Sequence, residues 1–140
     1  MSRDTTTGSV LEQMVEPALK KGGYKYETQV NIGNRFGGGR HIADIVATNP
    51  NNETFLISLK WQQVSGTAEQ KVPFEVICLI DAVLASNGRY KKAYVVLGGN
   101  GWKLRDFYTE GGLLKYLKYK DHVSILTLED FIFRANGSKL

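Results

Sequence analysis

The segment HIADIVA, residues 41–47, is followed after the polar turn NPNN by FLISLKWQ, residues 55–62. Both segments are rich in β-branched and aromatic residues, and the turn between them predicts a β-hairpin. Each strand carries one charge in an otherwise apolar run, Asp44 in the first and Lys60 in the second. A charge in a buried strand is costly unless a partner compensates it. The pair therefore predicts that Asp44 and Lys60 lie close together across the hairpin.

The second strand has an apolar and a polar face, because successive side chains of a strand point to opposite sides. The apolar set is Phe55, Ile57, Leu59 and Trp61, and the polar set is Ser58, Lys60 and Gln62. An acid beside a lysine suits metal-dependent phosphodiester hydrolysis. The carboxylate can hold Mg²⁺, the metal activates a water, and the ammonium stabilises charge developing on the phosphate. A structural Asp–Lys ion pair is the alternative that the spacing leaves open.

The whole chain, residues 1–140, predicts a single α/β domain with the element order α-β-β-β-α-β-α-β-α. Such an order gives a mixed sheet with helices on both faces. The predicted elements are a helix at 8–22, a strand at 24–30, a glycine-rich loop at 31–40, the hairpin, a helix at 69–86, a strand at 91–98, a helix at 104–119 broken at Gly111-Gly112, a strand at 122–127 and a last helix capped by Thr127.

Two prolines constrain the predicted helices. Pro17 falls inside the first helix and is expected to kink it or end it early, because proline removes an interior N–H. Pro73 is expected to be tolerated in the second long helix only near its first turn.

Composition narrows the class of protein. A hydrophobic content of 42% argues against a disordered chain, and no apolar run approaches the roughly 20 residues that span a bilayer. The start of the chain lacks a signal-peptide pattern, and the single Cys78 fits a reducing compartment, so the expected location is cytoplasmic. A structural zinc site is not expected from two histidines and one cysteine. The net charge of +4 is a weak indication of a polyanionic partner.

The hairpin resembles the active-site motif of the PD-(D/E)XK nuclease superfamily, which includes restriction endonucleases, Holliday-junction resolvases and some homing endonucleases. In that family one strand carries an acid, and its hairpin partner carries an acid, any residue and a lysine. Asp44 matches the first acid and Lys60 the lysine, whereas Ser58 stands where the second acid is usual. The helix-strand-strand-strand-helix order over residues 8–100 also matches. The resemblance implies a restriction-endonuclease-like fold with an αβββαβ core.

The resemblance also implies a set of metal ligands. Asp44 and the Leu59 carbonyl would bind the ion, and Glu12 on the first helix matches a glutamate that resolvase-like members use, with Glu16 as its competitor. Members that have serine in place of the second acid supply a carboxylate from the following helix. Glu75, 15 residues after Lys60, is preferred for this role over Glu69.

Other polar residues are candidates for substrate contacts. Gln62 shares the polar strand face and could hydrogen-bond a phosphate or a metal-bound water. Gln70 and Lys71 open the second long helix, whose N-terminus favours phosphate. Arg35 and Arg40 flank the glycine-rich loop, where they could contact DNA phosphates. Each of these has an ordinary surface or strand-end interpretation as an alternative.

The sequence thus predicts a Mg²⁺-dependent DNA endonuclease, in which Mn²⁺ can substitute, acting on duplex or branched DNA as a homodimer or a higher homo-oligomer. Sequence-specific and structure-selective cleavage remain open alternatives. So does a noncatalytic nucleic-acid-binding protein that retained the fold.

Overall fold

A computed structural model describes the backbone of residues 5–140 and the side chains of residues 11–140. It contains five strands, four α-helices and two 3₁₀ turns in that range. The α-helices are α1 (Thr5–Lys21), α2 (Ala68–Ala85), α3 (Arg105–Thr109) and α4 (Leu128–Asn136). The strands are β1 (Lys25–Asn34), β2 (Arg40–Thr48), β3 (Thr54–Trp61), β4 (Lys92–Gly98) and β5 (Val123–Thr127). The 3₁₀ turns are Leu114–Tyr116 and Lys120–His122.

The strands form one mixed sheet in the order β1-β2-β3-β4-β5. The first three strands are antiparallel neighbours, whereas β3, β4 and β5 run parallel to one another. Helix α2 connects the parallel pair β3 and β4, as a crossover between parallel strands requires. The predicted element order and mixed sheet are therefore confirmed.

Helices cover both faces of the sheet, and each face has its own apolar core. Helices α1 and α4 pack on one face around Phe55, Ile57, Tyr94 and Phe131. Helix α2 packs on the other face with Leu56, Val95, Ile125 and the rest of a second buried cluster. Phe55 and Ile57 thus face α1, as the alternation predicted, while Leu56 points toward α2. Two covered faces explain why β3 and β4 are apolar almost throughout.

Helix α2 is the most apolar of the four helices in sequence, and it contains the buried Cys78. Its apolar side is used for packing on the sheet. Within residues 5–140 no helix has both the length and the apolar character needed to cross a membrane.

Two of the predicted boundaries are wrong, and one expected effect of Pro17 is absent. The loop predicted at 31–40 is shorter, because β1 continues to Asn34, with a register irregularity between Asn31 and Asn34, and β2 begins at Arg40. The helix predicted at 104–119 is helical only over Arg105–Thr109; Gly111, at a φ of +85°, ends it, and the chain continues through a 3₁₀ turn. Helix α1 continues through Pro17 to Lys21, so this proline does not end it early.

Pro73 lies beyond the first turn of α2, contrary to expectation, and tertiary structure compensates for it. A proline at 73 cannot donate to the carbonyl of Glu69, four residues earlier in the helix. The hydroxyl of Tyr108 donates to that same carbonyl oxygen at 2.6 Å. The carbonyl that the proline leaves without a helical partner is thus satisfied from α3, and the helix persists.

Candidate active site

The site lies where β2 and β3 separate. Their ladder runs from Thr48 paired with Thr54 to Ile45 paired with Ile57. Beyond that point the N–H of Leu59 donates to the Asp44 carboxylate, Oδ2, at 2.7 Å. On its other edge β3 remains paired with β4 to the end. The second half of β3 is therefore held from one side only, and the opening on its other side is lined by polar side chains.

Asp44 is partly buried at this opening. Burial raises the pKa of its carboxyl group above the ordinary value, and the nearby negative charge of Glu75 adds to the rise. The Leu59 N–H, the Lys60 ammonium and a hydrogen bond from Gln29 lower the pKa but do not cancel that rise. Asp44 and Lys60 thus act on each other electrostatically across the hairpin, on the side of the sheet that faces α2.

Glu75 projects from α2 into the same opening, and only 3% of the residue is exposed. Its carboxylate forms an ion pair with Arg35 and lies 3.4 Å from Nε2 of the buried His41. Burial alone would raise its pKa. The His41 hydrogen bond, the charges of Lys60 and Arg35, and the Ser58 hydroxyl together lower the pKa from 4.5 to about 2. Glu75 is therefore a carboxylate held ionised by cationic neighbours.

Ser58 lies on the floor of the opening, with 2% of its surface exposed. Its hydroxyl is near enough to Glu75 to help lower the pKa of that carboxyl group. Yet Ser58 Oγ forms no geometrically acceptable hydrogen bond with any residue in the range 11–140. An unsatisfied buried polar atom carries a desolvation cost of about 1–3 kcal/mol. The floor of the opening therefore offers an unused polar group to a ligand or a water.

Gln29 of β1 connects Glu12 to this group. Its Nε2 donates to Glu12 Oε1 at 2.9 Å, and the same side chain helps to lower the pKa of Asp44. Its backbone has a φ of +54°, which is costly for a residue with a side chain. On either side of Gln29, Tyr26 packs toward α1 and Ile32 packs toward α2. In a regular strand, the even spacing of these two residues would place both side chains on the same face. Between these two residues lie the left-handed backbone of Gln29 and the start of the register irregularity at Asn31–Asn34, so the faces of β1 change along this stretch.

A family model described as a PD-(D/E)XK nuclease superfamily domain matches residues 3–139. The chain belongs to the PD-(D/E)XK nuclease superfamily. The family that the hairpin motif predicted is confirmed, and the mixed five-stranded sheet is its restriction-endonuclease-like fold. No curated protein sequence matches the chain.

Solved structures of similar fold have very different sequences. The crystal structure of AF1548, a protein of unknown function, superposes with a TM-score of 0.53 and 10% identity over 94% of this chain. A repair endonuclease from Pyrococcus abyssi gives a TM-score of 0.44 and 11% identity over 91% of this chain. The chain spans 65% and 46% of these two proteins, respectively. The first comparison supports the fold, and neither identity is high enough to transfer a function.

The superfamily generally uses divalent metal ions, and the donor atoms at this opening fit one. The charge of Glu75 raises the pKa of Asp44, and the charge of Lys60 lowers the pKa of both carboxyl groups. The buried Ser58 hydroxyl has no partner of its own among residues 11–140. Oxygen donors of this kind are what Mg²⁺ prefers. No three His, Cys, Asp or Glu side chains in the described part of the chain are clustered tightly enough to form a site alone. A bound ion would therefore also require water or substrate oxygens.

Gln62 and Glu69 form a separate structural unit, which we call the Gln62–Glu69 joint. Gln62 is buried; its Nε2 donates to the carbonyl of Gly101 at 2.8 Å, and its Oε1 accepts from the N–H of Glu69 at 3.3 Å. Glu69 Oε1 accepts from the N–H of Leu104 at 2.6 Å. These contacts tie α2 and the chain after β4 to the end of β3. The expectation that Gln62 is a surface residue or a phosphate contact is not what this geometry favours.

Glycine is required where the joint is tightest. A side chain at Gly99, whose φ is +92°, would place its Cβ 2.4 Å from the Gln62 carbonyl oxygen, and one at Gly101 would come within 2.5 Å of the Val64 backbone. The glycine-rich segment after β4 is therefore explained by close backbone packing.

The remaining candidates lie at the surface. Arg40, Gln70 and Lys71 are exposed, whereas Arg35 is paired with Glu75 rather than free. Two residues that act on the carboxylates of the opening were not among the sequence candidates: Gln29, beside Asp44, and His41, beside Glu75. A histidine at the start of an apolar strand gives little signal by itself. Its role depends on α2, which the local sequence around residue 41 does not reveal.

Proposed function

We propose that this PD-(D/E)XK protein is a Mg²⁺-dependent DNA endonuclease. The observation that carries the proposal is that Asp44 and Lys60, from adjacent strands, and Glu75, from α2, act on one another electrostatically at a single opening of the sheet. Membership of a nuclease superfamily supports the reaction class. Phosphodiester hydrolysis needs charge stabilisation at the phosphate and a positioned water, and these groups are suited to both.

Asp44 and Glu75 would hold the metal, with the Leu59 carbonyl as a third donor. Ser58 would hydrogen-bond a water in the coordination sphere, which would satisfy its otherwise unpartnered oxygen. Bound Mg²⁺ supplies Lewis acidity and an activated water. Glu12 reaches the group through Gln29, so its role in this proposal is to orient that amide beside Asp44. Glu75 is preferred over Glu69 as second carboxylate, because Glu69 is occupied in the Gln62–Glu69 joint.

Lys60 would stabilise the transition state. Lys60 is half-buried, and its charge lowers the pKa of both Asp44 and Glu75. As water attacks the phosphorus in line, negative charge develops on the phosphoryl oxygens, and the ammonium compensates that charge. By the chemistry of the superfamily, the products would carry 5′-phosphate and 3′-hydroxyl ends.

Basic and aromatic residues on the surface support DNA as the substrate. Arg40 is exposed at the start of β2, and Gln70 and Lys71 are exposed near the start of α2. Further along, the chain after α3 packs inward through leucines and carries exposed basic and aromatic side chains outward: Lys115, Tyr116, Lys118, Tyr119 and Lys120. Phosphates attract such lysines, and bases stack on exposed tyrosines.

A homodimer is part of the proposal, since cleavage of both strands of a duplex needs two sites. The solvent side of α2 carries Phe74, Ile77 and Leu84, each more than 40% exposed. An exposed apolar stripe of this kind is a candidate contact for a second copy. Sedimentation equilibrium would test it: a Phe74→Ser/Leu84→Ser variant should dissociate at concentrations where the unaltered protein is dimeric.

The central experiment is a cleavage assay. Supercoiled plasmid, linear duplex and a four-way junction are incubated with the protein in Mg²⁺, Mn²⁺ or EDTA. Cleavage is expected with either metal and not with EDTA, and Asp44→Ala and Lys60→Ala should each reduce it at least 100-fold while retaining DNA binding. The matched control is the ion pair of Glu53 and Lys91, exposed near the opposite end of β3; Glu53→Ala and Lys91→Ala should cleave normally.

A noncatalytic nucleic-acid-binding protein is the second candidate. It is favoured by one observation, that serine occupies the place of the motif's second acid while Glu75 is already paired with Arg35. Binding of all three DNA substrates without cleavage in either metal would establish this function and overturn the first.

A further inference from the structure

The exposed turn between β1 and β2 brings the guanidinium of Arg35 to the buried carboxylate of Glu75. Arg35 begins this turn, its N–H donating to the Gly39 carbonyl at 2.7 Å, and its guanidinium forms the ion pair with Glu75. Gly37 and Gly38 both have positive φ, and added side chains there would meet no atom within 4 Å. The turn therefore projects into open space, and the Arg35 side chain retains 29% exposure while Glu75 retains 4%.

The proposed metal site and this ion pair compete for the same oxygen atoms. Three groups already bring positive charge to Glu75: Arg35, Lys60 and, when protonated, His41. A divalent ion at Asp44 and Glu75 would repel all of them. Lys60 is fixed on a central strand and His41 is buried, whereas Arg35 has a long side chain on an exposed turn. Arg35 is therefore the group that can leave with the least structural change.

We infer that Arg35 is a switch residue that pairs with Glu75 when the site is free of metal and moves to a DNA phosphate when metal binds. The inference rests on the proposed function, because it requires Glu75 to be a metal ligand. A guanidinium suits both partners, since its planar N–H groups match carboxylate and phosphate oxygens equally well. Metal binding then frees a DNA contact, and DNA binding removes a competitor of the metal. By linkage each ligand must strengthen the other by the same factor.

Substituting Arg35 separates this switch from a simple phosphate contact. Arg35→Gln removes the competitor of the metal, and Mg²⁺ binding without DNA, measured by isothermal titration calorimetry, should become at least about 5-fold tighter, the lower end of typical coupling. The matched control is Arg40→Gln, since Arg40 is exposed at the start of β2 and is not among the described partners of Glu75. It should leave Mg²⁺ affinity unchanged.

The second measurement is DNA affinity, by fluorescence anisotropy of a labelled duplex with and without Mg²⁺. All variants carry Lys60→Ala here so that the DNA stays intact. Both arginine substitutions should weaken DNA binding in Mg²⁺. Mg²⁺ should tighten DNA binding by a smaller factor in Arg35→Gln than in Arg40→Gln, because only the former has lost the exchange.

The outcomes distinguish this inference from the proposed function. Unchanged or weaker Mg²⁺ binding by a folded Arg35→Gln protein, with normal binding by the unaltered protein, overturns the switch and leaves the endonuclease proposal intact. Failure of both proteins to bind Mg²⁺ overturns the metal-dependent function itself. If circular dichroism shows that Arg35→Gln does not fold, Arg35→Lys replaces it. That variant keeps the charge but loses the planar guanidinium, and Mg²⁺ binding tighter than in the unaltered protein supports the switch, whereas equal binding overturns it.

Discussion

Two buried glutamates lie six residues apart on α2 and differ in what surrounds them. Glu69 is 6% exposed and Glu75 is 3% exposed. The carboxylate of Glu69 accepts a backbone N–H from Leu104, whereas the carboxylate of Glu75 faces Arg35, His41 and Lys60. The two residues are similarly buried, but Glu69 has a neutral backbone partner whereas Glu75 has ionisable side chains around it.

The comparison gives a criterion for separating structural from functional acids. A carboxylate that accepts only neutral N–H groups fixes a segment of chain, as in the Gln62–Glu69 joint. A carboxylate among ionisable groups, with its pKa lowered to about 2, remains charged over the whole physiological range and can bind a cation. We therefore propose Glu75 as the metal ligand, whereas the contacts of Glu69 stabilise the fold.

Cleavage should separate the two glutamates most strongly. We expect Glu75→Gln to reduce the cleavage rate at least 100-fold, because a neutral amide is a much poorer metal ligand than a carboxylate. Glu69→Gln should stay within a few-fold of the unaltered rate. Initial rates on the preferred DNA at saturating Mg²⁺ test this, and similar losses in the two variants would break the comparison.

Glu75→Gln should also destabilise the protein more than Glu69→Gln does. The depressed pKa of Glu75 corresponds to about 3 kcal/mol of stabilisation from its charged form. Glu75→Gln should therefore lower the free energy of unfolding at pH 7 by about that amount. Glu69→Gln should cost at most about 1 kcal/mol, since an amide oxygen still accepts the Leu104 N–H. Urea unfolding measures both, and an equal cost would contradict the assignment of charged partners to Glu75.

The pH dependence of stability tests whether the charge of Glu75 is the source of this stabilisation. A folded-state pKa below the unfolded one gives stabilisation that is present above the unfolded value and lost as the pH falls through the folded value. For Glu75 this window runs from about pH 4.5 down to about 2. The difference in unfolding free energy between unaltered protein and Glu75→Gln should shrink toward zero across it. A difference that is independent of pH would show that charge is not the cause.

Tyr108→Phe tests the structural side of the comparison with a smaller effect. The substitution removes the hydroxyl that satisfies the Glu69 carbonyl opposite Pro73. Leaving a buried carbonyl unpaired should cost about 1–2 kcal/mol with no change in Mg²⁺ binding. Tyr116→Phe is the control, because Tyr116 is 74% exposed and its loss of a hydroxyl should not matter. Equal stability of the two variants would show that the proline is accommodated in another way.

Asp44→Asn should have the smallest effect on stability, and of opposite sign. Burial raises the pKa of Asp44, so its charged form is disfavoured in the folded protein. The neutral asparagine should raise the melting temperature at pH 7 while abolishing cleavage. This advantage should shrink as the pH falls through the raised folded-state pKa of Asp44 toward the unfolded value of 3.8, because the buried carboxyl group takes up its proton in the folded protein over that range. A lower melting temperature would instead support a purely structural Asp44–Lys60 ion pair.

The local sequence was sufficient for much of the fold. Alternation in residues 55–62 placed Phe55 and Ile57 toward one helix layer, and the turn after Thr48 paired β2 with β3, because strand periodicity and turn chemistry are local properties. The family followed from Asp44 and Lys60 in the same hairpin. Expectations from local sequence were wrong where distant contacts matter: the Glu69 carbonyl that Pro73 leaves without a helical partner is satisfied by Tyr108, 35 residues further along the chain.

The sequence by itself determined the element order, the family and the presence of an acid and a lysine on neighbouring strands. Only the tertiary structure decided which glutamate joins them, that Gln62 and Glu69 serve the fold, and that Arg35 lies on Glu75. The physical reason is that the environment of a charge is created by side chains from separate elements. Residues 35, 41, 58, 60 and 75 become neighbours only when α2 packs across the sheet, and no local pattern encodes that packing.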